Sequence, residues 1–154
     1  MTLLRLFLGK THKLLQLLNA GNDHDFAIKL NFEVSNNEAE YEALMTGLEM
    51  AKNMRVKHLN AYTDSQLVAN QISGSYETKE RRLVSYLEKV RELMNEFEKI
   101  HIYQIPRGEN ERDDALSKFA NLITGIKSWT VTLLVSDKSK ISSNEATEVM
   151  VTAN

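Results

Sequence analysis

One stretch limits what this chain can fold into more than any other: Leu59-Asn60-Ala61-Tyr62-Thr63-Asp64-Ser65-Gln66-Leu67-Val68. Leu59, Ala61 and Thr63 alternate with Asn60, Tyr62 and Asp64, the period of a strand with one buried face. The strand ends on an acid, and a helix start follows at once. Open α/β sheets bind their ligands in crevices beyond the carboxyl ends of their strands. Asp64 or Ser65 is equally suited to capping the next helix, since both types accept hydrogen bonds from the first-turn N–H groups. Locally, both readings stand.

The surrounding chain extends the alternation of strand and helix. Phe26, Ile28, Leu30 and Phe32 alternate with polar residues and predict a strand over 26–32. Asn36 or Asn37 is expected to cap a helix running to about Met54. Its buried stripe is Ala43, Leu44, Gly47, Leu48 and Ala51. Gly47 within that stripe implies a close approach to a sheet. A short helix over Gln66–Ile72 is expected to end at Gly74, and a long one to run over Lys79–Phe97. A strand over His101–Ile105 stops at Pro106, the only proline, which cannot donate to a ladder. A further helix is expected over about Arg112–Ile123, and an added strand over Trp129–Val135. The pattern predicts an α/β fold, a mixed sheet flanked by helices.

The two ends are unusual. Met1–Leu18 is leucine-rich, with apolar residues at helical spacing broken by Gly9 and Thr11, and could form an amphipathic helix. The first 22 residues hold no Asp or Glu but include Arg5, Lys10 and Lys13. That loosely resembles a transit peptide, although the segment lacks serine; a displaced start is the other reading. Residues 136–154 are polar and are expected to be a linker or disordered.

Composition removes several chemistries. With no cysteine and four histidines among 154 residues, thiolate zinc sites and cysteine nucleophiles are excluded. Any metal is expected on carboxylates, which favours magnesium or manganese. The net charge of −2 leaves a nucleic-acid partner to a local basic patch. Lys79, Arg81 and Arg82 form such a patch, or simply a solvated helix start. No apolar run is long enough to cross a bilayer, and an intracellular chain without a small-molecule cofactor is expected.

Three acids occupy suggestive places. Glu40 lies on the inner face of its expected helix, where it also suits a capping box with Asn37. Glu38 and Glu42 are expected to be solvated. Asp64 ends a strand. Asp114 sits in the first turn of a helix, where an acid complements the dipole. If the three converge, they need a cation to offset their repulsion. Two magnesium ions about 4 Å apart would then clamp a phosphodiester displacement.

Three ordered motifs carry a resemblance: Ser35-Asn36-Asn37-Glu38-Ala39-Glu40-Tyr41-Glu42-Ala43-Leu44, Tyr62-Thr63-Asp64-Ser65-Gln66-Leu67-Val68 and Gly108-Glu109-Asn110-Glu111-Arg112-Asp113-Asp114-Ala115-Leu116. Together they resemble type-1 ribonuclease H, most of all the ribonuclease H domain of plant gypsy-like retrotransposon polyproteins, over residues 26–122. The resemblance implies a ribonuclease H-like fold and cleavage of the RNA strand of RNA–DNA hybrids, with two Mg2+ or Mn2+ ions on four acids. Glu40, Asp64 and Asp114 match three of the four, with Asp113 a bystander. Asn36, Asn37 and Gln66 match residues that touch the hybrid's minor groove, where the 2′-hydroxyls lie.

Two departures bear on activity. The family's first aspartate lies on the opening strand, roughly forty residues before the helix glutamate by motif spacing. Nothing acidic stands there, so the first strands are expected to be missing or replaced and turnover to be impaired. The family's mobile histidine falls on Gln104, which cannot shuttle a proton at neutral pH; His101 is not a substitute. The expected divisions are an atypical N-terminal segment (1–24), a ribonuclease H-like domain (25–124) and a strand and linker tail (125–154). The alternative function is a non-catalytic nucleic-acid-binding module, or a retroelement-derived interaction module using the N-terminus as a partner helix.

Overall fold

The structure, a computed structural model, describes residues 2–8, 13–19, 22–105, 131–141 and 148–153. In chain order the elements are β1 (Thr2–Leu8), β2 (Lys13–Asn19), β3 (Asn22–Leu30), α1 (Asn36–Asn53), β4 (His58–Thr63), α2 (Gln66–Ser73), α3 (Arg81–Met94), β5 (Lys99–Gln104), β6 (Val131–Ser136) and β7 (Glu148–Ala153). The strands form one sheet in the order β5-β4-β1-β2-β3-β6-β7.

β1, β2 and β3 make an antiparallel meander, and β4 adds parallel to β1 on its far side. β5 is parallel to β4, and β6 is parallel to β3. The carboxyl ends of β1, β3, β4 and β5 therefore share one edge of the sheet with the start of β2. α1 leaves β3 at that edge and crosses back over the sheet to β4.

The N-terminal leucines form strands, not the amphipathic helix their spacing allowed. A run with leucine at nearly every position satisfies both periods, and tertiary context overrides weak propensity. Leu4, Leu6, Leu15 and Leu17 are buried in one cluster with Tyr41, Leu44 and Leu48 of α1. Leu14 and Gln16, on the alternate positions of β2, are buried too but lie outside that cluster. Gly47 meets the sheet at Leu4: a Cβ added there would lie 2.6 Å from Leu4 Cδ2. The opening strand of the fold is thus present and replaced in sequence.

Helix starts differ from expectation in ways that matter for the acids. Ser35, not Asn36 or Asn37, caps α1; its Oγ accepts from the Glu38 N–H, and Glu38 Oε2 accepts from the Ser35 N–H. Ser65, not Asp64, caps α2, its Oγ accepting from the Val68 N–H at 3.1 Å. Gly74 ends α2 at φ 89°, a left-handed conformation that glycine adopts without strain. α3 starts at Arg81, so Lys79 lies just before it.

Glu38 and Glu42, expected in solvent, are both buried. Glu42 is covered by the segment after β6. Lys140 N–H donates to its Oε2 at 2.9 Å and Ser139 Oγ at 3.3 Å, while Tyr86 Oη lies 2.9 Å from Ser139 Oγ. Burial pushes the Glu42 carboxyl above its usual range against the pull of these hydrogen bonds. The polar tail, expected as a linker, instead supplies β7, antiparallel to β6. Asp113, Asp114 and the helix expected at Arg112–Ile123 lie outside the described residues.

Candidate functional site

The edge where β1, β4 and β5 end and β2 begins gathers the groups that bear chemistry. Asp64 follows the last residue of β4 and is 6% exposed; Glu40, in the second turn of α1, is 7% exposed. Each had an ordinary capping role open to it, and the structure gives both roles to serines. Ser65 takes the α2 cap and Ser35 takes the α1 cap, with Glu38 as its reciprocal partner. Two acids are therefore buried at a strand-end crevice while serines hold both helix caps.

The loop around Asp64 is held from both sides. Ser65 N–H donates to Thr63 Oγ1 at 3.1 Å, and Ile105 N–H donates to the Thr63 carbonyl at 2.7 Å. Tyr41 Oη donates to Gln71 Oε1 at 2.5 Å, tying α1 to α2. Burial pushes the Tyr41 phenol up to about 12, with Arg91 opposing, so the hydroxyl stays a donor at any physiological pH.

The predicted substrate residues fall on the same side. Asn36 and Gln66 are exposed at the first positions of α1 and α2, and Asn37 is half-buried. Lys79, Arg81 and Arg82 are exposed. Arg82 is already engaged: its Nε donates to Glu38 Oε1. Burial works to raise the Glu38 carboxyl, but Ser35 and Arg82 outweigh it and hold the group below its usual value. Gln104 pairs level with Thr63, beside Asp64. His101 lies three residues back on β5, stacked with Tyr103.

β1 runs parallel to β4 with Leu6 opposite Thr63, so the next step sets Phe7 level with Asp64. No residue of β1 is acidic. The residue that sequence reasoning missed is Lys13, the first of β2. It is half-buried, and Glu40 and Asp64 are the carboxylates acting on it. Burial holds its ammonium pKa below the usual value, and those two acids offset only part of that. Its only sequence signal is a lone cation opening the run Lys13-Leu14-Leu15-Gln16-Leu17-Leu18.

Two divalent ions need several carboxylates and no competing cation. Among the described residues, no three His, Cys, Asp or Glu side chains are grouped to hold a metal. Among the described residues, two carboxylates beside an ammonium do not by themselves fit a two-ion centre.

The meander, the parallel β4 and β5, the α1 crossover and a buried acid at the β4 end define a ribonuclease H-like domain. A family described as reverse transcriptase-like matches residues 18–120. The chain belongs to that family. It is similar to ribonuclease HI of Halobacterium salinarum, 38% identical over 86 residues, which are 56% of this chain and 43% of that one. A bifunctional protein of Mycobacterium tuberculosis is 31% identical over 86 residues, 24% of its length. The chain thus spans less than half the length of these relatives. The crystal structure of Halobacterium salinarum RNase H1 superposes with TM-score 0.60 at 25% identity, over 76% of this chain and 98% of that one. LC11-RNase H1 in complex with RNA/DNA hybrid shares the fold, with TM-score 0.58 at 21% identity over 78% of this chain and 99% of that one.

Proposed function

We propose that this chain is a ribonuclease H-type module that binds RNA–DNA hybrids and cleaves their RNA strand far more slowly than an intact relative. One observation carries the reading: Glu40 and Asp64 are buried at the strand-end crevice beside serines that cap both helices, while β1 brings Phe7 and no acid to the same level. Asp114 completes the acid set by motif match. Magnesium or manganese belongs to the chemistry of the intact family, and losing one carboxylate ligand weakens both ion binding and the charge stabilisation that displacement at phosphorus needs. Gln104 in place of a proton-shuttling histidine slows turnover further.

Binding draws on different groups. Asn36, Asn37 and Gln66, beside the acids, are suited to the 2′-hydroxyls and base edges of the minor groove. Lys79 and Arg81 are available to phosphates, whereas Arg82 serves Glu38. Descent from a plant gypsy-like retrotransposon polyprotein is part of the proposal, supported by the wording of the three motifs. The reading in which the N-terminus is a partner helix loses its surface, because Leu4, Leu6, Leu14, Leu15 and Leu17 are buried in the sheet.

Anisotropy with a labelled hybrid and a matching DNA duplex measures binding, and gel analysis of the RNA strand with Mg2+ or Mn2+ measures cleavage. The expected result is salt-sensitive preference for the hybrid, with cleavage far slower than by Halobacterium salinarum ribonuclease HI assayed alongside. Cleavage at a matching rate overturns the impairment. Absence of hybrid binding at low salt overturns the module.

A further inference from the structure

Lys13 stands where the topology brings the site together. β2 runs opposite to β1, so its first residue lies at the edge where β1 and β4 end. Lys13 pairs with Leu8, and continuing the parallel register sets Leu8 level with Ser65, one step past Asp64. Two strand spacings, about 10 Å, separate β2 from β4, a gap that a lysine stem and an aspartate together close. Leu15 and Leu17, which share the face of Lys13, pack in the cluster under α1. Lys13 is therefore on the α1 side, and with Ser35, Asn36 and Ala39 of the α1 start it lines a pocket of about 150 Å³. Glu40 follows Ala39 directly.

Two buried carboxylates at one crevice repel each other unless a cation sits beside them. We propose that Lys13 is the resident cation of this site, balancing Glu40 and Asp64 from within the chain in the role a divalent ion would otherwise fill. The proposal rests on reading Glu40 and Asp64 as the acids of the site. An ammonium is a compact point charge that moves with its stem. A dication entering beside it meets a like charge at close range in a partly dry setting, where the repulsion is strong. The wild-type chain therefore binds Mg2+ weakly, and removing the Lys13 charge raises its affinity by at least about tenfold. The same removal leaves two acids without their internal counter-ion, so such a variant is less stable in the absence of the metal.

The test uses the full chain without nucleic acid. Wild type, Lys13→Gln, Lys13→Met and Lys13→Arg are titrated with MgCl2 and MnCl2 at constant ionic strength, reading Tm and calorimetric affinity. Wild type and Lys13→Arg are expected to show no metal-dependent rise in Tm. Lys13→Gln and Lys13→Met are expected to start lower and to gain Tm with metal, and Asp64→Asn added to Lys13→Gln abolishes the gain. Equal metal response in wild type and Lys13→Gln overturns the proposal, as does a gain that survives Asp64→Asn. If the neutral variants fail to fold, Mn2+ broadening of the wild-type NMR spectrum decides alone. Sharp signals from residues 40 and 64 support the proposal, and selective loss of them at low Mn2+ overturns it. Failure here leaves hybrid binding untouched, and failure to bind hybrid leaves this metal response untouched.

Discussion

Gly47→Ala tests whether the acid-free N-terminal strand really lies beneath α1. A methyl at Gly47 would sit 2.6 Å from Leu4 Cδ2, 2.9 Å from Cδ1 and 3.3 Å from Cγ. Leu4 has no room to withdraw: it is 1% exposed, between Leu17 of β2 and Ala61 of β4, themselves 1% and 0% exposed. Overpacking of this kind costs about 1–3 kcal/mol. Replacing a mid-helix glycine by alanine returns roughly 0.5–1 kcal/mol. The net expectation is a loss of about 1 kcal/mol, and at most about 2.5 kcal/mol. Leu4→Ala alone costs about 2–5 kcal/mol as a cavity, but it removes the three atoms that clash. In that background Gly47→Ala becomes stabilising by roughly 0.5–1 kcal/mol, so the sign of one substitution reverses with the other. Urea unfolding followed by circular dichroism, with a common m-value for all four proteins, reads the cycle directly. Effects that add to within about 0.5 kcal/mol refute the contact. They would also remove the ground for setting Phe7 level with Asp64.

Ser35→Ala should cost about 1 kcal/mol through the lost α1 cap, and hybrid affinity should fall with it because Asn36 and Asn37 lose their anchored backbone; thermal unfolding and anisotropy check the two parts. Glu42→Gln should change how stability depends on pH. The folded Glu42 carboxyl binds its proton more tightly than the ordinary value of 4.5 allows, so ionising it costs folding stability as pH rises through the window just above 4.5. The Tm of Glu42→Gln relative to wild type should therefore climb with pH across that window, and a flat difference contradicts the burial argument. Lys79→Ala and Arg81→Ala should each lower the salt slope of hybrid binding by about 1. Arg82→Ala should leave that slope nearly unchanged and destabilise the fold by up to about 1 kcal/mol, because its side chain is exposed and solvent screens the pair.

The order of strands and helices from Phe26 to Gln104 is legible in the sequence because each element has a clear period and a clear stop. Leu59–Thr63 alternates, Gly74 breaks α2 and Gly47 marks the helix that lies on the sheet. Glu40 and Asp64 are legible by motif, but whether they cap helices or face a crevice is not. Ser35, Asn36 and Asn37 are all competent caps, and so are Asp64 and Ser65. The choice of Ser35 goes with Arg82, which reaches the Glu38 carboxylate from 44 residues further along the chain. Glu42 reads as a surface acid until Lys140, 98 residues further on, covers it. The leucine-rich start is the extreme case, since its residues suit a helix or a strand equally and only the unpaired edges of β3 and β4 decide. What the amino acids alone determined is the order of elements from Phe26 to Gln104 and the motifs that single out two acids, because period, caps and motif are local. What the tertiary structure decided is the company those acids keep, a strand without a carboxylate and a lysine that opens the strand beside it, because strand register joins residues that no local pattern connects.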